Sequence, residues 1–375
     1  MEAYFDNSAT TKVLDSVKDI VVKTMTEDYG NPAAKHRRGM EAEQYIRDAK
    51  RILADTLKVQ EREILFTSGG SESNNMALIG TAWANKRAGK HIISTSIEHP
   101  SVYNPLGVLE ELGFEVTILP VDHDGHISLK ELEEAIRPDT ILVSTMYVNN
   151  EVGAVEPVEE ISKVIKTKNP STLYHVDAIQ AYGKYVIRPK KQGIDLLSVS
   201  GHKIHGPKGV GFLYIRSGVK IKPLIYGGGQ QAGLRSGTEN VPGAAGLGVA
   251  AKEMYTDHAA KIQKLTELKD YMTDRLGEIE GTVVNSKKGA DSAPQIVSVS
   301  FEGVRSEVLL HALEDKNIYV SSGSACSSNH PGISGTLKGI GVSQKLLDST
   351  IRMSFSLFNT KEEIDYTIDV LKELV

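Results

Sequence analysis

Seven short apolar runs punctuate the first two-thirds of the chain: EILFTS (63–68), HIISTS (91–96), EVTILPV (115–121), TILVSTMYV (140–148), LYHVD (173–177), LLSVS (196–200) and GFLYIR (211–216). Each is short, rich in β-branched or aromatic residues and bounded by polar or turn residues, the pattern of a buried strand. Between them apolar residues recur at spacings of three and four, as in Ala42, Tyr45, Ile46, Ala49, Ile52 and Leu53, the signature of an amphipathic helix. Strands alternating with helices predict an α/β domain built on a mainly parallel, seven-stranded sheet covered on both faces.

Past the glycine-rich stretch YGGGQQAGLRSGTENVPGAAG the pattern changes. A long charged helix is expected from about Val249 to Ile279, then strands QIVSVSF and IYVSSG, then a closing helix from Lys361 to Leu374. These elements predict a smaller α+β domain. The expected division is 15–255 for the large domain and 1–14 with 256–375 for the small one. The segment YGNPAAKHRRG (29–39) reads as a loop from its turn residues.

Composition narrows the function classes. Over 375 residues the formal net charge is only −5, and lysines and arginines are dispersed, so neither a nucleic-acid footprint nor an anionic-membrane patch stands out. No uninterrupted apolar run is long enough to span a bilayer, and MEAYFDNSATT lacks the basic and apolar regions of a secretory signal. A single cysteine excludes an internal disulfide and fits a reducing compartment. A cytoplasmic protein acting on small molecules or proteins is expected. That cysteine, Cys326, sits among small polar residues and glycines in VSSGSACSSNHPG, a setting for a reactive thiol or for an incidental surface one.

In open parallel sheets ligands gather at the carboxyl ends of strands, and three such ends are unusually polar here. FTSGGSESNNMAL (66–78) leads through two glycines and the Ser71 hydroxyl into a helix start, which can cradle an anion such as phosphate or simply be a capped helix. It has no P-loop lysine, which disfavours a nucleoside triphosphate. LYHVDAIQ ends a strand on Asp177, a carboxylate that needs a cation or strong donors once buried. LLSVSGHKIHGPKGVGFLYIR sets Lys203 in a tight turn, where desolvation favours a nucleophilic amine, though most loop lysines are solvated. Together, anion cradle, strand-end Asp and strand-end Lys match what pyridoxal 5'-phosphate requires: a phosphate site, a partner for the pyridinium nitrogen and an amine for the aldehyde.

Eight motifs in order carry a resemblance that runs from YFDNSATT to IDYTIDVLKEL: FTSGGSESNN, IEHPSV, VNNEVG, HVDAIQ, SVSGHKIHGPKGVG, GGGQQAGLRSGTENV, SSGSACSS and IRMSFS. The chain resembles cysteine desulfurases of the class V aminotransferase superfamily, and SSGSAC resembles their first group, the nitrogenase and iron–sulfur type. The resemblance implies the fold-type I architecture of pyridoxal phosphate-dependent transferases, a homodimer, and conversion of L-cysteine to L-alanine. It implies that Lys203 holds the cofactor as a Schiff base, Asp177 keeps its ring nitrogen protonated, and His99 stacks on the ring and moves protons. It places Asn150 and Gln180 near the ring oxygen; Gly70, Ser71, Ser200 and His202 around the phosphate; and Thr238 on the phosphate of the neighbouring subunit. Arg352, with Asn31 beside it, would clamp the substrate carboxylate, and Asn150 would also line the substrate. Cys326 would attack the substrate sulfur, become a persulfide, and pass sulfur to an acceptor protein serving iron–sulfur assembly or transfer-RNA thiolation.

Departures touch the finer expectations. Ser71 stands where larger bacterial relatives carry threonine, and the hydroxyl survives. The segment after Cys326, SSNHPGISGTLKGIG, differs from the housekeeping enzymes, and a scaffold-docking extension like theirs is not expected after the last helix, which leaves the acceptor open. His330, four residues beyond Cys326, could assist the thiolate or lie there by chance, and KHRRG could meet an acidic partner or be solvated. No metal is expected: VDHDGH (121–126) reads as a solvated D-G turn. The competing readings are a selenocysteine lyase or aminotransferase, and a cofactor-binding scaffold or sulfur carrier without turnover.

Overall fold

The computed structural model describes residues 1–289, 292–322 and 334–375. In chain order its strands are β1 (Ala3–Tyr4), β2 (Ile64–Thr67), β3 (His91–Thr95), β4 (Glu115–Leu119), β5 (Thr140–Met146), β6 (Leu173–Asp177), β7 (Leu196–Ser200), β8 (Gly211–Ile215), β9 (Thr282–Val284), β10 (Ile296–Phe301), β11 (Ile318–Tyr319), β12 (Ser321–Ser322) and β13 (Thr350–Ser354). Seven of them form one sheet in the order β2-β8-β7-β6-β5-β3-β4. Its neighbours are parallel except at β8, which runs antiparallel to both β2 and β7.

Both faces of this sheet are buried except along its edge strand β4, and the period of two along each strand sorts residues between them. Ile93, Val143, Leu197 and Phe212 belong to one apolar cluster, which is closed by the helices Arg37–Leu57 and Val241–Tyr255. Their immediate neighbours Ile92, Leu142, Leu196 and Leu213 belong to a second cluster on the opposite face, beneath the helix Pro100–Glu111. The two helices on the first face approach closely because small residues meet: a Cβ at Gly248 would lie 3.0 Å from Ala49 Cα. A four-stranded antiparallel sheet, β12-β13-β10-β9, carries its own core, with Val297, Val299, Ile351 and Met353 packed against Leu268, Met272, Ile364 and Ile368 of two helices. β1 pairs in parallel with β11, and an isolated bridge joins Asp6 to Ser354, so the N-terminus runs from the small sheet toward the large one.

Two expectations are corrected. The single helix expected over 249–279 is broken: one helix ends at Tyr255, Thr256 is extended, Asp257 takes a left-handed φ of 50°, and a second helix runs over His258–Leu276. The loop expected over 29–39 is shorter, because His36 Nδ1 accepts the Gly39 N–H and starts a helix at Arg37.

The two strand ends nearest the sheet's switch in order enclose a buried carboxyl. Glu98 Oε1 accepts from Thr95 Oγ1 at 2.7 Å and from the Met146 N–H at 2.8 Å, while Oε2 has no partner among the described residues. Burial pushes the Glu98 carboxyl up to about 8, and the neighbouring Glu156 is likewise raised to about 8 by its own burial. A folded-state value above the unfolded one means that stability is fully present at low pH and falls as pH rises from about 4.5 toward about 8, where it levels off. Glu98→Gln keeps the acceptor for Thr95 and Met146 but cannot ionise. Its thermal midpoint should match the parent near the bottom of that window and exceed it by several degrees near the top; a gap that does not widen with pH contradicts the assignment.

Candidate active site

A cavity of about 470 Å³ opens at the carboxyl ends of the large sheet. Each strand delivers its residue there by ending. Asp177 is the last residue of β6, Ser200 the last of β7, and the turn Gly201–Lys203 follows at once. His99 follows β3, Asn150 follows β5, and Gly70 and Ser71 open the helix after β2. These residues, with Gln180 and His202, all line the cavity, and Arg352 reaches it from β13 of the small sheet.

Lys203 is half-buried, and its Nζ donates to the backbone carbonyls of Ser8 and, at 2.8 Å, of Ala9. Its turn is tight: a Cβ at Gly201 would lie 3.0 Å from the Pro207 carbonyl oxygen. The N-terminal segment braces the turn, since the Thr11 N–H and Oγ1 donate to the His202 carbonyl at 2.9 and 2.8 Å. From below, the buried Lys184 donates to the Lys203 carbonyl at 2.6 Å; burial, with the charge of Lys203 adding to it, pulls Lys184 down to about 7.

Asp177 is buried and, among the described residues, is hydrogen-bonded by neutral donors, Asn74 Nδ2 at 2.8 Å and the Ile179 N–H at 3.0 Å. Desolvation raises its pKa, so the ionised form is incomplete without a cationic partner in the cavity. His99 is held below the usual histidine range by burial, with Lys203 adding to the effect and Asp177 opposing it. His202, whose Nδ1 lies 3.2 Å from Thr10 Oγ1, is lowered to about 4 by burial and by nearby lysines, and is neutral near pH 7.

At the other end of the cavity the phosphate cradle expected around Gly70 is close-packed. Gly69 has a φ of 148°, and a Cβ at Gly70 would collide with the Ile179 side chain. The helix start leaves amides without intrahelical acceptors, next to the hydroxyls of Ser71 and Ser200. Arg352 is 7% exposed; its Nη2 pairs with Asp6 Oδ1 at 2.8 Å, Nη1 donates to the Asn150 carbonyl at 2.9 Å, and Nε has no partner among the described residues. Two of its five N–H bonds are thereby committed. The rest remain for an anion.

The donor set fits pyridoxal phosphate: an anion cradle, a buried carboxylate held by neutral donors, a lysine amine beside them, and on the same wall the Ser8 hydroxyl, which has no partner among the described residues. Not every expected residue joins it. Asn31 is exposed, accepts the Ala33 N–H at 2.9 Å in its own turn, and does not line the cavity. Thr238 is exposed and does not line it either. Cys326 and His330 lie outside the described residues. Asp122, Asp124 and His126 of the D-G turn come within 4.8 Å of one another, with Asp124 ion-paired to Lys287.

Sequence reasoning missed Asp6, Asn74, Ser101 and Lys184. Asp6 and the Ser8 and Ala9 carbonyls come from the motif FDNSATT, which carried resemblance but was given no role. Asn74 stands just before a π-turn over Met76–Gly80, and two polar residues, Ser73 and Asn74, on the buried side of that helix were the available signal.

Comparison with known proteins agrees with this geometry. The family model of class-V aminotransferases matches residues 3–367. The cysteine desulfurase IscS of Dictyoglomus turgidum is 41% identical over 374 residues, which cover 100% of this chain and 94% of that protein. The IscS of Methanosarcina thermophila is 44% identical over 372 residues, covering 99% of this chain and 91% of that one. A solved NifS-like protein superposes with a TM-score of 0.95 at 39% identity, over 100% of this chain and 99% of the other. A chain matched over this length at this level belongs to the class-V aminotransferase family of pyridoxal phosphate-dependent enzymes, on its cysteine desulfurase branch.

Proposed function

We propose that this protein takes the sulfur of L-cysteine onto Cys326, releases L-alanine, and hands the sulfur to an acceptor protein in iron–sulfur assembly or transfer-RNA thiolation. The observation that carries the reading is the convergence of Lys203, Asp177, His99 and Arg352 on one cavity. Pyridoxal phosphate, when bound, supplies an electron sink next to the substrate Cα. The chain's own residues do the rest.

Asp177 would hold a proton at the ring nitrogen, the one cation its dry, neutral-donor setting accommodates. The Lys203 amine would tether the cofactor and, once displaced by substrate, take the Cα proton. Gly70, Ser71, Ser200 and His202 would hold the phosphate, the last as a neutral donor. Asn150 and Gln180 would flank the ring oxygen. Arg352 would orient the substrate carboxylate with the N–H bonds that Asp6 and Asn150 leave over.

The Cys326 thiolate then attacks the substrate sulfur. The C–S bond breaks as an S–S bond forms, its electron pair stays with carbon, and a proton on that carbon completes L-alanine. The products are alanine and a Cys326 persulfide, with no external oxidant required. We read residues 1–14 and 256–375 as the small domain that carries this thiol. We further read the protein as a homodimer in which Thr238, exposed and off its own cavity, serves the other subunit's phosphate.

Purified protein should be yellow and should release alanine from L-cysteine, with sulfide appearing when a reductant is present. Cys326→Ala should lose roughly a thousandfold or more in sulfide release while keeping the bound chromophore. Full activity in that variant contradicts the nucleophile assignment. Lys203→Ala should lose the borohydride-reducible linkage to the cofactor. For Arg352→Ala, loss of a charged double hydrogen bond predicts a KM for L-cysteine raised about ten- to a hundredfold. Incubating the persulfidated protein with scaffold and transfer-RNA-thiolation acceptors, and measuring sulfur transferred to each, distinguishes the two destinations.

A further inference from the structure

We propose that Asn74 and Ser101 fix the His99 ring in one neutral tautomer, bare at Nδ1 and protonated at Nε2, so that His99 serves the site as a hydrogen-bond donor and not as a base. The inference rests on the proposed reading only in placing His99 beside the cofactor. The tautomer itself follows from hydrogen-bond direction.

His99 caps the helix Pro100–Glu111, and its Nδ1 accepts the backbone N–H of Ser101 at 3.1 Å. A backbone amide can only donate, so Nδ1 carries a lone pair. The same Nδ1 lies 2.8 Å from Ser101 Oγ, whose own acceptor role is filled by Asn74 Nδ2 at 2.9 Å. The Ser101 hydroxyl hydrogen therefore points at His99.

The direction of Asn74 is fixed in turn. Its Nδ2 also donates to Asp177 Oδ2 at 2.8 Å, it is completely buried, and its Oδ1 has no partner among the described residues. Turning the amide over would strand two N–H donors and set a carbonyl oxygen against the Asp177 carboxylate. One stranded acceptor costs less. The chain of donation thus runs from Asn74 outward in both directions, to Asp177 on one side and through Ser101 to His99 on the other.

Two donors converge on Nδ1, and a neutral ring must then carry its hydrogen on Nε2. An imidazolium would need Nδ1 to donate into the Ser101 N–H and the start of a helix, both of which repel it. The charged groups that face the ring are Lys203, which disfavours the cation, and Asp177, which favours it; burial outweighs both and keeps the ring neutral. With no lone pair at Nε2, proton abstraction falls to Lys203. Asn74 and Ser101 are positioning residues for this arrangement.

The test is nitrogen NMR of ¹⁵N-histidine-labelled protein, with and without bound pyridoxal phosphate, using His99→Asn to identify the signal among the chain's 11 histidines. In the parent near neutral pH, Nδ1 should resonate as an unprotonated nitrogen and Nε2 as a protonated one, with any titration displaced below the usual histidine range. Ser101→Ala removes one of the two donors to Nδ1 and keeps the backbone amide, so it should move both signals part of the way toward the tautomer average and lower kcat about tenfold with KM for L-cysteine unchanged, and Ser101→Thr should restore both. Asn74→Ala, if it folds, should give the same averaging. A parent signal showing a proton on Nδ1 or a mixture of tautomers, or signals that Ser101→Ala leaves in place, overturns the proposal. Because the tautomer is read directly in protein free of cofactor, a chain that shows it yet binds no pyridoxal phosphate and makes no alanine would refute the functional reading alone.

Discussion

A carboxylate taken out of water with only neutral donors around it is the constraint on which the site depends. Asp177 ends a strand buried on both faces, and its two bonds, from Asn74 and the Ile179 amide, satisfy its oxygens without neutralising its charge. Such a group is stable as an anion only when a positive charge is brought to it, and the low-dielectric wall makes that attraction far stronger than it would be in solvent. Within the cavity the charge of Lys203 acts on Asp177 in that sense, yet burial still raises the carboxyl. His202 and His99 are kept neutral by burial, Lys184 is drawn toward neutrality beneath the turn, and Arg352, the permanent charge, is already balanced in part by Asp6.

Distant parts of the chain are tied together by the first dozen residues. Phe5 packs in the core of the small sheet, Asp6 holds Arg352, the Ser8 and Ala9 carbonyls receive Lys203, and Thr11 braces the His202 turn. A single short segment, turning over Asn7–Ala9, therefore links the lysine on the large sheet to the arginine on the small one.

Elements with a strong local period were legible in the sequence. All seven strands of the large sheet were read from apolar runs, since a sheet buried on both faces leaves little else they could be. The break at Thr256–Asp257 was not legible, because neither glycine nor proline marks it and a left-handed aspartate looks like any other polar residue on a charged helix. At the site, Asp177 and Lys203 could be read because they stand at or just past a strand's end, whereas His99, four residues beyond β3, was supplied by the resemblance. Asp6, Asn74, Ser101 and Lys184 act through partners 19 to 346 positions away or through a neighbour two residues distant whose role depends on direction of donation, and no periodicity encodes that. Asn31, whose role came from the resemblance, also accepts the Ala33 N–H in its own turn, a local bond no periodicity encodes.

One strand of the large sheet runs against the others, and its position shapes the pocket. β8 lies between β2 and β7, antiparallel to both, so those two point the same way yet stand two interstrand spacings apart, about 9.6 Å. The first residue of β8 is Gly211, where a side chain would strike the Val199 carbonyl and stand 2.8 Å from Gly69 Cα. A reversed strand that begins at the site in a residue without a side chain leaves a slot between two loop-bearing ends. The width of that slot is a property of the backbone alone, which lets the lining hydroxyls drift in identity while the gap they face stays the same size.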